Sequence, residues 1–266
     1  MAQTKLSAGL KNIVPVGTSD IHQNDDVKNR QHYGGAYAFM LDGYGPRLFR
    51  YGQNRSGSNT AQGDLATRYG TTAGTAVNDV TSGTTKSFGK ANGWVSGIHE
   101  GQIALIDDGG ASAGVKPEGE TSIVLNNTTA TVNVDPNLPY STAILTGDDV
   151  TLLGGWGTQD AADNDLCFDV YGVVMPTDGL DDFQFGWYQS WGMTPGATVG
   201  TAAVTVNTAL AAGAAIIVDA TAGDNMQKFI GYAPMAIAAD LVSPFKHLVF
   251  MTLDFGNIPF GLSGTS

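Results

Sequence analysis

From about residue 36 onward the chain is a succession of short apolar runs cut apart by Gly, Asp, Asn, Thr and Pro, and this punctuation leaves room for little except strands. Runs of about 4–8 residues rich in β-branched and aromatic side chains mark strands. They fall at Tyr37–Met40, Arg47–Tyr51, Gln102–Ile106, Thr121–Leu125, Thr129–Val134, Val150–Leu153, Phe168–Met175 and Gln184–Gln189. Further runs are Ala203–Val206, Ala215–Val218, Gln227–Tyr232, Ala236–Ala238 and Leu248–Leu253. Thr131–Val134 and Ala203–Val206 alternate polar and apolar residues, as half-buried strands do. The breaks between runs have turn chemistry: Gly147-Asp148-Asp149, Thr177-Asp178-Gly179 and Ala222-Gly223-Asp224. Composition points the same way. Glycine supplies 36 of 266 residues, whereas the strong helix formers are scarce, with three Glu against 22 Asp, eight Lys and five Arg. The sequence therefore predicts an all-β fold, a β-barrel or β-sandwich with long loops. Residues 15–35 show neither strand nor helix period, so 1–35 reads as an extended N-terminal arm and 36–266 as a β-rich domain, one barrel or two packed β-units.

Charge and length remove several function classes. The net charge is −12, which repels phosphate backbones, so no nucleic-acid partner is expected. No apolar run is long enough to span a bilayer, and Met1–Gly17 lacks the continuous apolar core of a signal peptide. A chain made in a cytoplasm and not exported by that route is the expectation, with no membrane partner. Charge is also unevenly placed. Residues 1–68 carry eight basic side chains against five acidic ones, and the rest carry five against twenty. That split suggests an arm docking on a separate acidic partner.

No catalytic, metal or cofactor pattern stands out. His22, His32, His99 and His247 show no metal-ligand spacing, and no Gly-x-Ser-x-Gly elbow occurs. Cys167, the single cysteine, stands between Leu166 and Phe168 and reads as a buried, inert thiol. Paired acids such as Asp25-Asp26, Asp148-Asp149 and Asp181-Asp182 read as turn caps. The group Asp160, Asp163, Asp165 and Asp169 leaves a calcium site as the alternative there. Gly-rich turns lack the Lys-Ser/Thr step of a phosphate loop. In the aromatic block Phe183–Gly192, Phe183, Phe185, Trp187 and Gln189 would share one face of a core strand ended by Gly192. A carbohydrate platform would use the same rings.

Several segments, taken in order, resemble a known class of proteins: Gly45–Tyr51, Gly101–Asp107, Phe185–Gly192, Gly213–Asp219, Gly231-Tyr232-Ala233 and Leu248–Leu253. Together they are similar to the head decoration, or cement, proteins of tailed bacteriophages. The resemblance spans roughly residues 36–255 and rests on pattern and order. It implies a β-rich virion protein without catalysis, bound as a homotrimer to the outside of the capsid, with the major capsid protein and further copies of itself as partners. The N-terminal arm has no part in the resemblance, but its charge makes Lys11, Lys28, Arg30 and His32 candidate contacts to the shell. A tail-tube or head–tail connector component, and a carbohydrate-binding β-module, stand as alternatives.

Overall fold

The computed structural model describes residues 13–14, 19–26, 31–32, 34–69, 75–77, 80–90, 96–97, 99–107, 114–153, 155–161, 170–200, 206–213, 217–219, 229–236 and 245–253. The fold is all-β: among these residues the only helical element is a 3-10 turn at Asp20–His22. Chain contacts divide the protein into two units. Unit 1 is made of residues 1–67 and 158–266, and unit 2, residues 68–157, is inserted between its halves.

Unit 1 opens with β1 (Ile13–Val14), β2 (Asn24–Asp25), β3 (Tyr37–Asp42), β4 (Gly45–Asn54) and β5 (Leu65–Arg68). Unit 2 then supplies β6 (Thr75–Val77), β7 (Val80–Gly83), β8 (Ser87–Lys90), β9 (Ile103–Ile106), β10 (Thr121–Asn127), β11 (Thr131–Val134) and β12 (Val150–Leu153). The chain returns through β13 (Gly157–Asp160), β14 (Val170–Val174), β15 (Phe185–Val199), β16 (Ala209–Ala212), β17 (Ile217–Asp219), β18 (Gly231–Tyr232) and β19 (Phe245–Thr252).

In unit 1 the strand neighbours close on themselves twice, and β15 belongs to both circuits. The first runs β4, β13, β5, β14, β15 and back to β4; the second runs β15, β17, β16, β18, β19 and back to β15. The N-terminal half of β15 pairs antiparallel with β4, from Phe185 opposite Gln53 to Trp191 opposite Leu48. Its C-terminal half pairs with β19, from Trp191 opposite Thr252 to Val199 opposite Phe245. One strand can serve both because it bends. Gly192 has φ +93°, and a Cβ there would lie 2.4 Å from the Pro46 carbonyl oxygen. Register shifts at Gln189/Trp191 and Thr194/Ala197 add the twist that bulges bring. Leu65, Val173, Val199, Leu210, Ile217 and Val249 belong to one buried apolar cluster. The first circuit also holds polar groups. Tyr188 and Tyr171 meet edge to face, the Tyr171 hydroxyl donates to the Tyr51 carbonyl (2.8 Å), and the Tyr188 hydroxyl meets Thr158.

Gly192 therefore does not end the aromatic strand, as the sequence suggested; it lets that strand continue for seven more residues. Phe183 lies outside the strand altogether. It adopts φ +68° in a turn closed by Gln184 N–H to the Asp181 carbonyl, and so does not share the face of Phe185 and Trp187.

The described parts of the first 35 residues are fastened to unit 1. β1 runs parallel to β3, and β2 pairs with Phe185–Gly186. Ile21 is fully buried, and His22 Nδ1 lies 3.0 Å from the Met175 carbonyl. This part of the expected arm is thus a strap laid along its own sheet.

Unit 2 is a seven-stranded antiparallel sheet in the order β6-β12-β9-β10-β11-β8-β7. Its inner face gathers Phe88, Ile106, Val124, Val132, Val150 and Leu152. Tyr140 closes that core, its hydroxyl donating to the Ala104 carbonyl at 3.1 Å.

Candidate functional site

Of the four side chains expected to touch a partner, Lys11, Lys28 and Arg30 lie outside the described residues. His32 is half-buried in an aromatic group on unit 1. Its ring centroid is 5.1 Å from Trp187 and 5.3 Å from Tyr51, edge-on to the latter. Tyr51 in turn stacks on Phe185 at 5.6 Å, and its hydroxyl donates to the Asp25 carboxylate. The strap thus lies over the rings that the aromatic block contributes. Trp187 is 1% exposed, which denies it to a carbohydrate platform.

Three of the eight basic side chains of residues 1–68 are held within unit 1. Arg47 is 2% exposed, forms an ion pair with Asp42, donates to Gln189 and lies over the Phe49 ring. Burial alone would raise the Asp42 carboxyl, but the Tyr44 N–H and the Arg47 guanidinium outweigh it and hold the pKa below its ordinary value. Arg50 donates to the Tyr171 carbonyl and lies over the Tyr171 ring, and Arg55 lies over Phe183. These three cations are buried among neighbours that sequence spacing does not reveal.

Asp148 caps a local turn, whereas Asp182 and Asp107 bond to groups distant in sequence. Asp148 accepts from the Leu145 N–H at 2.7 Å, Asp182 from the Gly57 N–H at 3.2 Å, and Asp107 from the Thr151 hydroxyl at 2.9 Å. Asp163, Asp165, Asp169 and Cys167 fall outside the described residues, as does Trp94. Among the described residues no group of three or more His, Cys, Asp or Glu side chains could hold a metal ion.

What the sequence reading missed is an apolar outer surface. Ile103 on β9 stands directly opposite Ile123 on β10, and both are more than 40% exposed, as is Leu125 two positions further along the same face. Thr121, opposite Leu105, continues the face without a charge. On β3 the outward positions Phe39 and Leu41, with Tyr44 at the hairpin tip, make a second apolar group on unit 1. A signal was present. Ile103–Ile106 and Ile123–Leu125 are uninterrupted apolar runs, and in a strand such a run puts apolar side chains on both faces.

Comparison of the chain with protein-family models, with curated proteins and with solved structures finds no match.

Proposed function

We propose that this chain is a structural protein of a tailed-phage head, bound to the outside of the capsid as a homotrimer and bridging neighbouring capsomers without catalysis. The observation that carries this reading is the uncharged strip Ile103, Ile123 and Leu125 on the outer face of the unit 2 sheet. Exposed apolar groups gathered on one pleated surface mark a protein–protein contact. Their burial contributes about 25 cal/mol per Å² before the costs of association. A net charge of −12 keeps the remaining surface soluble. Lys11, Lys28 and Arg30 of the arm stay proposed shell contacts, and these strand faces are added to them.

Native mass measurement on the purified chain tests the reading. A closed assembly of three 27.6 kDa chains supports it, whereas ring stacks or open tubes favour a tail or connector component. A chain that remains a single copy at every concentration overturns the trimer.

A further inference from the structure

Five separated pieces of unit 1 enclose a half-open cavity of about 240 Å³: the 3-10 turn at His22, Gln62–Gly63, the end of β14 at Met175, the β15 bulge at Gly196, and Lys246 on β19. A residue without a side chain lets two of these pieces approach closely. Gly63 has φ +87°, and a Cβ there would lie 2.1 Å from the Gly196 carbonyl oxygen and 2.7 Å from Lys246 Nζ. Lys246 Nζ is held over the cavity by the Gln62 carbonyl and, at 2.7 Å, by Thr198 Oγ1. An ammonium has three donors, and these two bonds leave one.

His22 is equally fixed. The Met175 carbonyl can only accept, so His22 Nδ1 carries the proton of their 3.0 Å bond. Gln62 Nε2 donates to the same carbonyl at 3.2 Å, which anchors the wall between the two basic groups. No carboxylate lines the cavity. The neighbouring Asp64 is held back from it, its oxygens taken by the Ala61 N–H and the Thr198 hydroxyl. A concave site lined by an ammonium and an imidazole and by no carboxylate contrasts with the chain's net charge of −12.

We infer that this cavity is a binding site for a small oxyanion, held by Lys246 Nζ, with His22 lining the same cavity. Its volume lies below the roughly 300–1,000 Å³ of sites for drug-sized ligands, so the ligand is of the size of phosphate or a short carboxylate. The site is independent of the capsid reading above.

The test is titration of the full chain with inorganic phosphate, following the ring resonances of the four histidines by NMR. His22→Gln assigns its signals and keeps a donor for the Met175 carbonyl. The expected result is a saturable shift of His22 alone. Lys246→Met weakens binding about tenfold or more, as removal of a charge-assisted hydrogen bond does, and Lys246→Arg retains it. Acetate in a parallel titration distinguishes a general carboxylate site from one selective for tetrahedral anions; saturation by either supports the proposal. Shifts that never saturate, that affect all four histidines alike, or that persist unchanged in Lys246→Met overturn it.

Discussion

The Tyr188 hydroxyl lies 2.6 Å from Thr158 Oγ1, inside the circuit formed by β4, β13, β5, β14 and β15. Thr158 spends its own proton on the Gln53 carbonyl at 3.1 Å, so Tyr188 is the donor in the pair. The order of two substitutions follows. Tyr188→Phe removes a donor and leaves Thr158 still bonded to Gln53, costing about 1–2 kcal/mol. Thr158→Val strands both the fully buried Tyr188 hydroxyl and the Gln53 carbonyl, and costs more. Urea unfolding of both variants and of the double variant checks this, with non-additivity expected because the residues share one bond.

Burial pushes the phenols of Tyr140 and Tyr188 well above their ordinary value of 10.0. A folded pKa above the unfolded one means that the native state holds these protons more tightly. Their contribution to stability is complete below about pH 10 and is lost as pH rises further. In an alkaline absorbance titration, at least two of the nine tyrosines should therefore ionise only together with unfolding. Nine tyrosines titrating before any loss of structure would contradict this.

Asp160 has a carboxyl pKa raised above 3.8, by burial first and by the nearby charge of Asp64 second, and its Oδ1 has no hydrogen-bond partner. The sign is the same as for the tyrosines. Stability from this group is present below its unfolded pKa and lost as pH rises through the folded one, so at neutral pH the ionised carboxylate is a net cost. Asp160→Asn should raise Tm at neutral pH, and the gain should vanish near pH 3, where both forms are uncharged. Melting curves at the two pH values decide it.

The apolar strip separates contact from stability. Because Ile123 is exposed, Ile123→Lys should leave the urea midpoint of the isolated chain within about 0.5 kcal/mol of its original stability. The same change places an ammonium opposite Ile103, which costs desolvation on any surface that covers the strip. Light scattering of the variant should show a weakened assembly with an intact fold.

The strand content was legible because it depends on local chemistry. Thr121–Leu125 and Val150–Leu153 fall where their apolar runs place them, and β10 and β12 appear there. Gly101–Asp107 and Gly213–Asp219 look alike in sequence, yet β9 lies between two antiparallel neighbours in unit 2. β17 runs parallel to β15 in unit 1. A shared strand-and-turn grammar explains the likeness without duplication. Less legible was everything that depends on distant partners. Glycine within a strand run reads as a stop, and only the closeness of Pro46 shows why Gly192 is a bend. Asn24–Asp25 is too short and polar to announce a strand, and it becomes one through Phe185–Gly186, some 160 positions away. Arg47, Arg50 and Arg55 count toward the basic bias of residues 1–68, and nothing in their spacing shows that Asp42, Tyr171 and Phe183 are their neighbours. The strap also sets the expected result of deleting residues 1–35. Removing Ile21 and the pairing of β2 uncovers Tyr51 and Trp187, so the truncated chain should lose stability in unit 1.

The most direct measurement is saturable binding of the full chain to phage heads assembled without it, followed by co-sedimentation and imaging. Trimeric density at three-fold or quasi-three-fold positions of the outer surface, reduced by Ile123→Lys, is the result expected. Heads that take up none of the added chain would contradict the proposed role.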